Sequence, residues 1–302
     1  MTEKRRKRSR PNLKWEPIIE RAREIVNSYP ERITLRRLFY RLVSEGLLDN
    51  STKDESERAY DGLIDHTTTL RRVGQFPPLL DIDTMRGKDS GFMSPQSALV
   101  AVIEQYRCDR TQGQPYQIYV GVEKKGLYGD LVKWFDAYGV RLFALGGFGA
   151  EAYERELIEE VERDVRPAVL IYGGDCDPSG ERIYLNLIKN TQSFRHVEHV
   201  GVTEQQIDDY DLPVMRFTKN DSRIKEFRER HSIFCQRYGL TKEHEAFQVE
   251  IDAFDAYRPD VLRQLYTEAF MKYWDVTAYK AVIEQEAYER EQLIRHAETF
   301  RG

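Results

Sequence analysis

Three acids in this 302-residue chain have the types and spacing for metal-assisted chemistry. Glu123 follows the apolar run QIYVGV, and Asp175 and Asp177 follow the apolar run AVLIYGG in the stretch DCDPSGER. If both runs are strands of one parallel sheet, all three carboxylates lie at its carboxyl edge, where open α/β sheets meet their ligands. Residues two apart in extended chain face the same way, which puts Asp175 and Asp177 on one side and Cys176 on the other. Oxygen donors without histidine or thiolate suit a hard cation, Mg²⁺ first, with Mn²⁺ as a substitute. Such an ion typically serves phosphoryl chemistry. Pro178 and Gly180 shape a turn into the next helix, whose first amides favour an anion. For a single Asp before a helix, an N-cap in a solvated loop is the plainer reading. The pair, with Glu123 beside it, argues for a site.

The elements that must hold these acids can be read from the pattern of apolar residues. QIYVGV is a strand, followed by a helix from about Leu127 to Tyr138 that Gly139 closes. RLFAL, AVLIYGG and HVEHVGV are further strands, with the helix AEAYERELIEEVERD and one from about Ser179 to Lys189 between them. This alternation predicts an α/β unit with a parallel sheet and right-handed crossovers over residues 98–212. Residues 213–302 read as a helical extension. A rival reading takes GFGAEA (Gly147, Gly149, Ala152) as a dinucleotide fingerprint, but it leaves Glu123 and Asp177 unexplained. His196 and His199 form an HxxH in a strand-like stretch without further ligands and read as a surface feature.

Ahead of the sheet the pattern is helical. WEPIIERAREIVNS (15–28) is an amphipathic helix with Pro17 near its start. Thr34 is the expected N-cap of LRRLFYRLVSEG, with Leu35, Leu38, Phe39 and Leu42 on one face and Gly46 as its stop. A polar loop, DNSTKDES, separates it from a third helix over about Glu57–Val73 that ends in Arg71 and Arg72. Helices followed by the extended QFPPLLDIDTMRG suggest a winged-helix, CAP-like DNA-binding domain over 15–86. The polar, Gly- and Pro-bearing stretch at 87–97 reads as a linker.

Charge is distributed unevenly. Residues 1–50 carry 13 Lys and Arg against seven Asp and Glu, a net +6, which leaves −11 for the rest of a chain whose total is −5. The basic arm at residues 1–14, including Lys4, Arg5 and Arg6, suits a phosphate backbone. Cys108, Cys176 and Cys235 form no CxxC, so neither a disulfide framework nor a thiolate zinc site is expected. No apolar run approaches the roughly 18 residues of a membrane helix. The expectation is a cytoplasmic, nucleoid-associated protein with no membrane partner.

The Glu on one strand and DxDxxG after a later one resemble the Toprim signature of topoisomerases, primases and certain nucleases. ITLRRLFYRLV is similar to the tyrosine-bearing helix of the topoisomerase VI A subunit and its relative, the meiotic double-strand-break transesterase, in a compact, free-standing form. Arg36, Leu38, Phe39 and Tyr40 match the family's Arg, aliphatic, aromatic and nucleophilic tyrosine, while Arg37 replaces its Asp. QVEIDAF at 248–254 is similar to the family's acidic C-terminal segment, so the resemblance adds Glu250. It implies a winged helix followed by a Toprim domain and a C-terminal extension. It also implies double-stranded DNA as substrate, a homodimer, a separate ATPase partner for any strand passage, and a 5′-phosphotyrosyl intermediate formed by Tyr40.

Under this resemblance Asp175, Asp177 and Glu123 hold the metal, and Glu123 can also serve as acid or base. A tyrosine hydroxyl, with an ordinary pKa of about 10, needs deprotonation or positive charge nearby. Arg36, Arg37 and Arg41 on its own helix provide such charge. Arg71, Arg72, Lys124 and Lys125 are candidate phosphate contacts. Two other functions fit the same residues: a metal-dependent hydrolytic Toprim nuclease of the plasmid-defence type, and a DNA-binding protein with a dormant Toprim.

Overall fold

Side chains of Thr34 and Thr52 start two of the N-terminal helices, each accepting the backbone amide three residues on: Arg37 N to Thr34 Oγ1 at 3.1 Å and Glu55 N to Thr52 Oγ1 at 3.3 Å. The computed structural model describes residues 14–80, 92, 94–145, 151–191 and 193–299, with the side chains at 151–154, 190, 191, 298 and 299 left out. The chain divides into two units, residues 1–80 and 81–302. The basic arm with Lys4, Arg5 and Arg6 lies outside the described residues, as does most of the 87–97 stretch.

In the first unit, α1 (Trp15–Ser28), α2 (Leu35–Ser44) and α3 (Lys53–Arg72) bury Ile18, Ala22, Leu38, Phe39, Leu42 and Leu63 against one another. Gly46 ends α2 at φ +70°, a conformation that costs glycine nothing. α3 starts four residues earlier than its apolar pattern suggests. Its first turn is solvated, so the start is marked by the Thr52 cap and by Asp54 and Glu55 near the helix dipole. The chain returns at Leu80, whose amide donates to Ile33 O at 2.9 Å. Among the described residues of this unit β structure is limited to isolated bridge positions at Thr34, Thr52 and Leu80.

The second unit is mixed α/β. It opens with α4 (Pro95–Gln105), whose first three residues fall in the stretch read as linker, and Ser94 and Ser97 cap that helix reciprocally. Then follow β1 (Gln117–Val122), α5 (Lys125–Phe135), β2 (Arg141–Ala144), α6 (Glu151–Arg163), β3 (Ala168–Gly173), α7 (Pro178–Thr191) and β4 (Phe194–Gly201). The four strands form a parallel sheet in the order β2-β1-β3-β4. Strands β1 and β3 sit in the middle, buried along their whole length, as strands covered on both faces must be. In register, Val122 pairs with Gly173, so both central strands end at the same level and release Glu123 and Gly174 together.

Residues 213–302 are not a purely helical extension. α8 (Glu204–Tyr210) leads to β5 (Met215–Thr218), α9 (Ser222–Arg230), α10 (Ser232–Arg237) and β6 (Glu245–Gln248), with β5 and β6 paired antiparallel. At four residues each, these strands are too short to display a period in sequence. α11 (Ile251–Tyr257), α12 (Pro259–Met271) and α13 (Val276–Thr299) complete the chain. Phe247, Phe254, Tyr266 and Phe270 share one apolar core with Val120, Val122 and Ile171 of the sheet. The C-terminal segments are thus integral to the unit that carries the acids.

Candidate functional site

At the carboxyl edge of β1 and β3, three separate segments deliver four buried carboxylates: Glu123, Asp175 with Asp177, and Glu250. Backbone amides fix three of them, and a side chain holds the fourth. Glu123 continues the β1–β3 ladder, its amide donating to Gly173 O at 2.8 Å, and its Oε2 accepts the Asp175 amide at 2.8 Å. Asp175 Oδ1 accepts the amide of Ile251 at 3.0 Å. Asp177 Oδ1 accepts the amides of Ser179 and Gly180, both at 2.7 Å, at the start of α7. Glu250 Oε1 accepts Gln248 Nε2 at 3.1 Å. Between Asp175 and Asp177, Cys176 turns into the apolar core and pairs with Val249 through N–H···O contacts of 2.9 and 3.1 Å.

Gly180 allows this convergence. A Cβ there would lie 2.6 Å from Asp175 O and 2.8 Å from Glu123 Oε2, closer than real Cβ contacts come. Only glycine lets α7 begin this close to the Asp175 backbone carbonyl and the Glu123 carboxylate.

Lys124 completes the cluster. Its Nζ contacts Asp175 Oδ2 and lies 3.8 Å from Glu123 Oε1 and 3.9 Å from Glu250 Oε2. Even so, the negative charge is not fully offset. Burial, then the charge of Asp175, push Glu123 up to about 7 despite the pull of Lys124 and the Asp175 amide. Asp177 is raised for the same two reasons, against the stabilising amides of Gly180 and Ser179. A crowd of buried carboxylates with too little positive charge, and with oxygen ligands only, fits a hard divalent cation. Among the described residues, no group of three or more His, Cys, Asp or Glu side chains is already arranged to hold a metal ion.

The other candidates lie as follows. Tyr40 is in the core of the first unit, 2% exposed, edge-on to Phe39 and with the Arg36 guanidinium 5.9 Å from its ring centre. Arg37 lies over the Tyr29 ring, and Arg41 is 3.7 Å from Glu45. Arg71 folds back onto its own helix, donating to Thr67 O and Thr68 Oγ1, while Arg72 is exposed. Lys125 is exposed in the first turn of α5.

His196 and His199 do not form a surface pair. His196 meets Tyr116 and Tyr273, whereas His199 packs on Tyr184, where burial lowers it to about 4. Most of GFGAEA lies outside the described residues. The three cysteines are free, and no described helix is long and apolar enough to cross a membrane.

Two groups near the cluster escape a sequence reading. Asp252 and Asp255 are buried on α11, immediately after Glu250. The signal was the acid at every second or third position in EIDAFD, which a short apolar helix has no packing reason to carry. The second is a clamp on the first turn of α7. Glu181 accepts from Arg230 at 2.8 and 2.9 Å and contacts His231 Nε2 at 3.3 Å, and His231 Nδ1 lies 2.7 Å from Glu204. Scans of the chain find no matching protein-family model and no matching curated protein.

Proposed function

We propose that this chain is a Mg²⁺-dependent DNA-cleaving enzyme, with Mn²⁺ able to substitute, of the topoisomerase VI A kind. The first unit is read as a winged-helix, CAP-like DNA-binding domain and the second as a Toprim domain. The observation that carries this reading is the convergence of Glu123, Asp175, Asp177 and Glu250 at the carboxyl edge of a parallel sheet. In this reading Asp175 and Asp177 hold the ion, with Glu250 beside them. A divalent ion bound there supplies charge stabilisation to the scissile phosphate. Glu123, which shares the cluster with these acids, serves as metal ligand or as acid or base for the leaving 3′-oxygen. Tyr40 attacks the phosphodiester, with Arg36 favouring its ionised form, and becomes linked to the 5′-phosphate as the 3′-oxygen departs. Double-stranded DNA is the substrate, engaged by a homodimer through Arg37, Arg41, Arg71, Arg72 and Lys125. Strand passage would require a separate ATPase.

A second reading, hydrolysis by water on the same acids, is favoured by the burial of Tyr40. Covalent trapping separates the two. End-labelled DNA is incubated with Mg²⁺ or Mn²⁺ and wild type, Tyr40→Phe or Asp177→Asn, then denatured in detergent. Label that migrates with wild type but with neither variant supports transesterification. Free 5′ ends from wild type and Tyr40→Phe, but not from Asp177→Asn, support hydrolysis. No cleavage by any of the proteins, with salt-sensitive DNA binding retained, leaves a DNA-binding protein.

A further inference from the structure

We infer that Lys124 is an internal counter-ion that occupies the cation position of the acidic cluster and must yield it when a divalent ion binds. This rests on the metal-dependent reading above. One ammonium within 4 Å of carboxylates from three separate segments, Glu123, Asp175 and Glu250, has the surroundings of a bound cation rather than of a surface ion pair. Its backbone is held at the start of α5, where Leu127 N donates to Lys124 O at 3.1 Å, and the ammonium is carried on a flexible four-carbon stem. The Lys124 side chain as a whole is 25% exposed, so the cluster lies at the surface of the unit rather than deep inside it.

Exchange has two consequences. Metal must compete with a tethered positive charge, which lowers affinity. The displaced ammonium, still anchored beside the acids, becomes available to the anionic phosphate of the substrate. The site is thereby biased towards holding its metal when DNA is present to receive the lysine.

The test is Mn²⁺ binding to the full chain, followed by the electron paramagnetic resonance of free Mn²⁺ and by calorimetry. Lys124→Met should bind on the order of tenfold more tightly than wild type, because one nearby positive charge is gone. Lys124→Arg should stay near wild type, and Asp175→Asn should lose binding. Lys124→Gln serves if the methionine variant does not fold. On wild type itself, amine-reactive labelling read by mass spectrometry should rise at Lys124 when Mn²⁺ is added. Equal or weaker binding by the neutral variants, with Asp175→Asn still abolishing it, would overturn the counter-ion role and leave the metal reading standing. Absence of Mn²⁺ binding in wild type and in the neutral variants would overturn both.

Discussion

The amide of Ile251 donates to Asp175 Oδ1 at 3.0 Å, joining residues 76 positions apart. With the Cys176–Val249 bridge beside it, this contact makes the chain before α11 one wall of the acidic cluster. The carboxylate is therefore oriented by the C-terminal third of the protein, and its remaining oxygen, Oδ2, faces Lys124. An arrangement this dependent on close backbone approach should be sensitive to small additions.

Gly180→Ala adds a methyl group 2.6 Å from Asp175 O, so the start of α7 must shift. The expected cost is about 1–3 kcal/mol of stability, with loss of DNA cleavage beyond what the stability change explains. Thermal unfolding and a cleavage assay well below the melting temperature check both.

Asp177 combines an N-cap with a buried charge, and two substitutions separate these roles. Asn caps a helix about as well as Asp, so Asp177→Asn should fold with near wild-type stability yet lose metal-dependent cleavage. Asp177→Ala should lose cleavage and also give up about 1 kcal/mol of capping, partly offset by relief of the repulsion with Asp175. Denaturant unfolding of the pair would show the difference.

Tyr40 is a core side chain whatever its chemistry. Tyr40→Ala should cost about 3–5 kcal/mol, as large-to-small core substitutions do. Tyr40→Phe should stay within about 1 kcal/mol, the net worth of a hydroxyl hydrogen bond. Denaturant midpoints of the two variants check this, and the phenylalanine variant is the usable probe of covalent chemistry.

His231 gives a pH dependence of known sign. Burial opposes its charged form, but hydrogen bonds to Glu181 and Glu204 outweigh that and hold its pKa above the ordinary value. Arg230 and Glu181 complete the charged surroundings, with the rings of Phe227 and Phe247 on its other sides. The stabilisation from protonated His231 is fully present below about 6.5, the ordinary value for histidine, and is lost as pH rises through the raised folded value. Wild type should lose stability over that interval, and His231→Gln should show a shallower loss. Melting curves from pH 5.5 to 8.5 would measure it.

Local signals made much of the fold legible. Thr34 and Gly46 bracket α2 because a cap and a positive-φ stop are encoded by single residues. Strands β1 and β3 stand out because strands covered on both sides are continuous apolar runs. The start of α3 and the whole of α4 were hidden by polar first turns, and β5 and β6 by brevity. At the site, Glu123, Asp175 and Asp177 could be picked out because each follows a legible strand end. Glu250 came only through resemblance, because β6, the strand before it, is too short to announce itself. The placement of Lys124 among three carboxylates and the Ile251 amide on Asp175 were out of reach, since both arise from packing between distant segments.

The Cys176–Val249 bridge and the Ile251 amide on Asp175 also bear on the order of synthesis. A ribosome releases Asp175 long before Val249 and Ile251, so a nascent chain carries that acid without the backbone that orients it. Products cut short before Glu250 by frameshift or premature termination would keep the basic N-terminal segment and three of the four acids. On the reading proposed above, such products would keep affinity for DNA and lose cleavage.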